Sequence, residues 1–552
     1  MRSSNVINIY YFGVFALLFF FTLNFNYVEG DDATTVLYHL CERNSNIQKP
    51  YAAYNSGIDF IIKLSGIKTE ESIRIFAVLI SYLSGLFILI GCKSFLEIFF
   101  ENSGKIQPKT RTIFYILLPF IVPDIILHSL IINSANISFV FILYSLIYFI
   151  KFLKSSKNYC LFLSVILFAI AIPFRWTMLV SIPVYLGLLI YFKPLPLTKE
   201  TLSLYLKVFL IALLGLVLTL YFISITGYDL QGIGDTILST TGYLSEAEFS
   251  VLSVLATASA FLTPALLILL FFSLFKMNEI HKREPKFNYN LIALILLTIS
   301  PFFLFGFFPS YKFLITIFPI LLVLMVLGFD YLIKKKILFS LFLVSLVSVW
   351  FLGIQIDANG TFCGPGFELN TEKTQNLINN NDLQNVDGRV KINKVNVKFE
   401  SGFYMPMLEG PRPLYGYFYV FFNTGWFNQI EALKKERQEI VSVLIKDKRV
   451  IFFQDRRTAY ISCALYQNGY KTATDFVDNK SYFYRDFVKG NDTIKLNIVP
   501  NNCSKVEWIS NLPIEKNKKL IYRSSYSSEI LQLSNTKKNK VKIIGPFTAI
   551  LQ

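Results

Sequence analysis

Long apolar runs alternate with short polar loops through the first 354 residues of the chain. Candidate spans fall at 7–25, 75–99, 112–132, 137–153, 159–174, 177–192, 203–226, 251–275, 291–308, 312–332 and 337–354. An α-helix needs about 20 apolar residues to cross a hydrocarbon core about 30 Å thick. The pattern therefore predicts a polytopic α-helical membrane protein with about 11 crossings. From residue 355 the character changes. The segment is polar, with β-rich runs at Val390–Val397 and Arg449–Phe453 and a charged helical stretch near Gln429–Ile445. Strands mixed with helices predict a small α/β or α+β domain over 355–552.

The first run, INIYYFGVFALLFFFTLNF, follows Arg2 and could be read as a signal peptide. It is long for that role, and the NFNYVEG that follows lacks a small-x-small cleavage site. An uncleaved helix with a cytoplasmic N-terminus is the better reading. Charge then tests the topology. The even-numbered loops carry Lys105, Lys109 and Arg111; Lys151, Lys154 and Lys157; Lys193 and Lys199; Lys276, Lys282, Arg283 and Lys286; and Lys334, Lys335 and Lys336. The odd-numbered loops at 133–136 and 227–250 hold no Lys or Arg. Positive charge collects on the cytoplasmic side of membrane proteins, so eleven crossings place the C-terminal domain outside the cytoplasm.

Composition narrows the function. Only 16% of residues are charged, against about 25% in ordinary globular chains, because an apolar solvent excludes charge. The net charge is +16, the Lys and Arg of the apolar region gather mostly in the short loops between its runs, and the 55 Phe and 31 Tyr are spread through those runs. No basic face interleaved with aromatics points to nucleic acid. Six Cys and three His, with no CxxC, exclude a disulfide scaffold and a histidine-rich metal centre. Cys41, Cys363, Cys463 and Cys503 are expected outside, as are the sequons at Asn359, Asn479, Asn491 and Asn502.

The first outer loop, 26–73, is too long for a connector, and long loops in compact proteins are usually functional. Its apolar periodicity (Val36, Leu37, Leu40, then Phe60, Ile61, Ile62, Leu64) predicts short helices lying on the membrane surface. Asp31 and Asp32 stand at its start. Such a pair can supply a general base for an acceptor hydroxyl or hold a divalent cation beside a phosphate leaving group. Asp32 can equally cap a helix beginning at Ala33.

The layout resembles the GT-C class of integral membrane glycosyltransferases, which includes protein O-mannosyltransferases and bacterial aminoarabinose transferases. The resemblance rests on Glu29-Gly30-Asp31-Asp32 after the first span and the Pro123-Asp124…Asn133-Ser134-Ala135-Asn136 stretch. Phe174-Arg175-Trp176 and Pro309-Ser310-Tyr311-Lys312 complete it. It implies a GT-C-like fold and a polyprenyl-phosphate sugar donor. The acceptor would be a lipid, glycan or protein, and transfer would take place at the outer or lumenal membrane face. By that resemblance Asp31 or Asp32 matches the acidic base or cation ligand. Members differ in whether a divalent cation (Mg or Mn) is required.

Other residues carry two readings each. Arg175, at the outer end of the fifth span, either snorkels to headgroups or grips a lipid phosphate bidentately. Lys312 and Tyr311, in a short outer turn, are interfacial anchors or phosphate ligands; the family's position has Arg where this chain has Lys. Asp124 and His128 share a helix face and either stabilise the bundle or line a cavity. Asn133 and Asn136 cap helices or hydrogen-bond an acceptor sugar. Arg74, after Glu70 and Glu71, forms a local ion pair or contacts phosphate. A bacterial inner membrane is preferred over the endoplasmic reticulum as location. The competing functions are a transporter or flippase of a lipid-linked glycan and a polysaccharide polymerase or ligase. A polymerase or ligase typically places its long loops late, no internal repeat of the transporter kind is visible, and a long outer loop with an acidic pair and a sizeable outer domain fit an enzyme better.

Overall fold

The computed structural model describes residues 2–22, 70–101, 104–122, 125–126, 129, 134–193, 199–225, 264–304 and 315–351, together with, towards the C-terminus, 355–356, 362–363, 389–392, 395–398, 438–447, 450–454, 461, 464–465, 468–472, 484–498, 509, 519–523, 533, 541–545 and 548–551. The chain divides into two compact units, a helical one and a C-terminal one.

The described part of the helical unit contains eleven α-helices. They are α1 (Arg2–Thr22), α2 (Glu70–Phe99), α3 (Pro108–Ile121), α4 (Ser134–Ser155), α5 (Asn158–Phe174), α6 (Ile182–Phe192), α7 (Lys199–Ile225), α8 (Pro264–His281), α9 (Pro285–Leu304), α10 (Phe318–Leu332) and α11 (Lys336–Phe351). Each overlaps one apolar run of the sequence. Among the described residues four stretches are long and apolar enough to cross a membrane: Leu79–Phe99, Ser134–Ser155, Leu202–Phe222 and Ile315–Leu332. Shorter apolar helices cover Asn5–Phe19, Asn158–Phe174, Thr177–Phe192 and Lys336–Val347.

Several ends differ from the sequence expectation, and proline is the usual cause. The predicted run 112–132 stops being continuous helix at Ile121. Val122 leaves the helical region (φ −120°, ψ 60°) because it precedes Pro123, whose ring crowds a helical neighbour. The predicted span 177–192 begins as a 3₁₀ turn, Trp176–Ser181, before α6 starts with Pro183 in its first turn. A second 3₁₀ turn, Ile315–Ile317, precedes α10, where Pro319 occupies the same place. The helix expected at 251–275 is described as Pro264–His281, and residues 251–263 lie outside the described set.

Close packing holds these helices. α4 packs on α2 and α5, α8 on α10, α6 on α9, and α7 on α5. At Gly328 a Cβ would lie 1.9 Å from the Leu269 carbonyl oxygen, so only glycine admits that approach of α10 to α8. α1 is tied down by polar bonds: the Tyr11 hydroxyl donates to the Tyr115 carbonyl (2.8 Å) and Lys93 Nζ donates to Asn8 Oδ1 (2.6 Å).

The outer surface is apolar. Leu206, Phe209, Leu210, Leu213, Leu216 and Val217 of α7 are all exposed, and only 11% of the stretch Leu202–Phe222 is buried. Val6, Ile9, Phe12 and Leu17 of α1 are exposed as well. Soluble proteins rarely expose contiguous apolar patches beyond a few hundred Å². Such a surface is matched to hydrocarbon rather than water.

The C-terminal unit carries a mixed sheet of seven strands. These are β1 (Val450–Gln454), β2 (Lys471–Thr472), β3 (Tyr484–Lys489), β4 (Asp492–Ile498), β5 (Lys519–Arg523), β6 (Val541–Gly545) and β7 (Thr548–Leu551), in spatial order β6-β7-β5-β1-β4-β3-β2. β1 runs parallel to β4 and β5, and the other pairs are antiparallel. The two-residue alternation of strands divides the core. Phe452, Leu496, Ile521 and Ile550 face a helix over 438–446 through Ile440, Val441 and Leu444. Leu520, Tyr522, Ala549 and Leu551 face the other way, onto Ile509 and Leu533. The expected strand at Arg449–Phe453 is β1. The expected run Val390–Val397 is instead two antiparallel strands, Arg389–Ile392 and Val395–Lys398. Of the helical stretch expected near Gln429–Ile445, residues 438–446 are described as helix.

Candidate functional site

Arg175 is the one predicted donor-binding residue whose side chain falls among the described residues. α5 carries Pro173 in its last turn and ends at Phe174. Arg175 then adopts extended backbone (φ −161°, ψ 110°) before the 3₁₀ turn, so its side chain leaves the helix axis at the break. It is 2% exposed. A guanidinium that deep needs hydrogen-bond partners, because an unpaired buried charge costs several kcal/mol. Nη1 donates to Ser134 Oγ (2.9 Å) at the start of α4, and Nε donates to Thr177 Oγ1 (3.2 Å) in the 3₁₀ turn. The snorkelling reading of Arg175 does not fit this geometry, since the side chain turns into the bundle.

Hydroxyls and amides surround it. Ser138 Oγ donates to the Ala171 carbonyl (2.7 Å), which also accepts the Arg175 backbone N–H (3.1 Å), so α4 is clamped to the last turn of α5. Asn136 Nδ2 donates to Ser129 Oγ (3.3 Å), and Ser129 in turn donates to the Ile125 carbonyl (2.6 Å). Asn136 thus lies inside α4, fully buried, and reaches back across the preceding segment rather than capping its own helix. Thr177, Ser181 and Thr316 are buried too. The 3₁₀ turn Trp176–Ser181 packs against Ile315–Ile317 and against α4. Starts of α4, α6 and α10 therefore gather at this end of the bundle. Helix N-termini carry partial positive charge and unpaired N–H groups, so this end favours an anion.

The remaining candidates are not placed together. Asp31, Asp32, Asp124, His128, Asn133, Tyr311 and Lys312 lie outside the described residues. Arg74 lies on the backbone of α2 near its start, with its side chain outside the described set. Among the described residues no group of three or more His, Cys, Asp or Glu is arranged to hold a metal ion. The sequence reading missed the hydroxyl layer of Ser129, Ser134, Ser138, Thr177 and Thr316; its only trace in the sequence is small polar residues interrupting apolar runs.

A second buried polar group was also missed. Asp330 of α10 is 1% exposed, and its Oδ2 meets Lys276 Nζ of α8 at 2.9 Å and Lys334 Nζ at 3.0 Å. Lys276 also reaches Glu279 Oε2 (3.3 Å). Asp330 lies near the C-terminal end of α10, whereas Thr316 lies at the other end, so the ion cluster and the Arg175 layer occupy opposite ends of the bundle. No protein-family model, curated protein or solved structure matches this chain.

Proposed function

We propose that this chain is a polytopic membrane glycosyltransferase of GT-C-like architecture, with eleven crossings and an extracytoplasmic C-terminal domain. It moves a sugar from a polyprenyl-phosphate donor to a lipid, glycan or protein acceptor. The observation that carries the reading is Arg175: a cationic fork buried at one end of an apolar-surfaced bundle, oriented by two hydroxyls where several helices begin. That arrangement suits the phosphate of a lipid carrier entering from hydrocarbon, because guanidinium matches phosphate geometry and the site is preorganised.

The reaction is a single displacement. The acceptor oxygen attacks the anomeric carbon while the bond from that carbon to the phosphate oxygen breaks. The acceptor proton passes to a carboxylate of Asp31 or Asp32, and the polyprenyl phosphate departs with its added negative charge balanced by Arg175. Lys312 and Tyr311 assist at the phosphate, and Asp124, His128, Asn133 and Asn136 contribute to the acceptor side. Inversion at the anomeric carbon follows from one displacement. The carboxylate roles rest on the resemblance and the sequence position of the pair. Asp31 and Asp32 are also the residues that would hold a divalent cation, which would offset phosphate charge.

The test uses the full chain in nanodiscs, supplied with a panel of polyprenyl-phosphate sugars together with lipid, glycan and peptide acceptors bearing free hydroxyls, with acceptor-dependent release of polyprenyl phosphate as the read-out. Asp31→Asn with Asp32→Asn, recovered folded, is expected to abolish release. Undiminished release from that double variant discards the assignment.

A further inference from the structure

The helical unit carries a second charged place, at the end of the bundle away from Arg175. α8 and α10 both finish there. Lys276, in the second-last turn of α8, meets Asp330 near the end of α10 at 2.9 Å. Rings lock the same end. Phe272 and Phe275 of α8 lie on Tyr331 beside Asp330 (centroids 5.8 and 5.6 Å), and Phe329 lies on Phe339 and Phe342 of α11 (5.8 and 6.0 Å). α8 also packs on α11. The connections from α8 to α9 and from α10 to α11 therefore leave the bundle as neighbours.

Charge at this end is unbalanced. The acids of these two connections and the helix turns before them are Asp330, Glu279 and Glu284. Each is already met by a cation of the protein: Asp330 by Lys276 and Lys334, Glu279 by Lys276, and Glu284 by Lys105 at 3.0 Å. Lys282, Arg283 and Lys286 at one connection, and Lys335 and Lys336 at the other, are all exposed. Among the described residues these five have no ion pair or side-chain hydrogen bond. Lys286 and Lys336 stand in the first turns of α9 and α11, where the helix dipole opposes a cation. Helix stability therefore does not account for them. Next to these cations the surface is apolar. Phe271, Leu274 and Phe275 form an exposed stripe on α8, and Ile337, Leu341 and Val344 form another on α11 that starts one residue after Lys336.

We infer that this end of the bundle binds an anionic glycerophospholipid, its phosphate among Lys282, Arg283, Lys286, Lys335 and Lys336 and its acyl chains on the stripes of α8 and α11. The unneutralised cations select a net-negative headgroup over a zwitterionic one, by about fivefold for each basic residue near a membrane surface. The stripes select a lipid over a soluble anion. The inference rests on the membrane reading of the helical part and not on sugar transfer. The experiment titrates the full chain, in neutral detergent, with phosphatidylglycerol and with phosphatidylcholine of identical acyl chains, and counts bound lipid by native mass spectrometry. Phosphatidylglycerol is expected to bind at least about tenfold more tightly, and excess glycerol 1-phosphate is expected not to displace it. The triple variant Arg283→Gln, Lys335→Gln, Lys336→Gln is expected to lose most of that preference with its melting temperature unchanged. The single variants Arg283→Gln and Lys336→Gln, each expected to lose part of it, carry the test if the triple variant does not fold. Lys151→Gln, Lys157→Gln and Lys193→Gln together remove as much charge from other connections and are expected to leave the preference intact. Equal binding of the two lipids, or a preference untouched by the Arg283 and Lys336 variants, would overturn the inference. So would displacement by glycerol 1-phosphate, which would make the ligand a soluble anion. An equal loss in the Lys151, Lys157 and Lys193 variant would also overturn it, by reducing the effect to diffuse attraction.

Discussion

Asp330 sits in an otherwise apolar helix and is buried almost completely. A lone carboxylate there would be expelled or neutralised; two ammonium groups at 2.9 and 3.0 Å on its Oδ2 keep it. Its Oδ1 has no hydrogen-bond partner, so the arrangement is tight rather than fully satisfied. Removing one charge leaves the other buried. Asp330→Asn is expected to cost about 3 kcal/mol, the low end of broken buried pairs, because Glu279 still reaches Lys276. Replacing both partners, Asp330→Leu with Lys276→Met, is expected to cost less than the single change. Thermal unfolding in detergent measures both, and a double variant less stable than the single one would refute the pairing argument. At Arg175 the same logic separates stability from chemistry. Arg175→Lys keeps the charge but loses the fork that reaches Ser134 and Thr177. It is expected to lower polyprenyl-phosphate release by about 100-fold, a typical cost of removing one preorganised stabilising group, while a Ser134→Ala variant, which removes only an orienting hydroxyl, loses less.

Elements show which parts of the fold the sequence could announce. The eleven helices were legible as apolar runs, since a 3.6-residue turn buried or lipid-facing all round needs no amphipathic signal. Their ends were less so. Pro123 and Pro183 broke or delayed helices that hydropathy alone carried through. The split of Val390–Val397 into two strands has a sequence trace, since the alternation changes phase between Ile392 and Val395, across Asn393-Lys394. At the site, Arg175 was legible as a charge out of place. Its hydroxyl partners were not, because Ser134 and Thr177 lie 41 and 2 residues away and meet it only through packing. Glycines had a similar hidden role. Gly490 opens the two-residue turn between β3 and β4 at φ +59°, a conformation other L residues adopt at a cost. Gly490→Ala is expected to destabilise that hairpin by about 1 kcal/mol, read as faster amide exchange over 484–498 with exchange elsewhere unchanged. Gly328→Ala has no space at Leu269 and is expected to drive α8 and α10 apart, with a larger loss measured as a fall in melting temperature.

At the scale of the whole molecule, two surfaces of opposite character share one chain. Large exposed apolar side chains among the described residues run from Val6 to Val347, and none of them belongs to the C-terminal unit. The helical part is thus suited to hydrocarbon. Clusters of lysine and arginine mark alternate connections at Lys105–Arg111, Lys154–Lys157, Lys282–Lys286 and Lys334–Lys336, while the connections at 133–136 and 227–250 hold none. Moving such clusters across a bilayer is costly, and the cell orients helices to avoid it. On the proposed eleven crossings, the N-terminus and those loops would share the cytoplasmic side and residues 355–552 would lie on the other. A phosphatase reporter active only outside the cytoplasm is therefore expected to be active when fused after Ile225 or at the C-terminus, and inactive when fused after Lys157, Lys286 or Lys336. A fluorescent reporter that folds only in the cytoplasm should give the inverse pattern. An even number of crossings would reverse the result at the C-terminus while leaving the early fusions unchanged. That single outcome would put the C-terminal sheet in the cytoplasm.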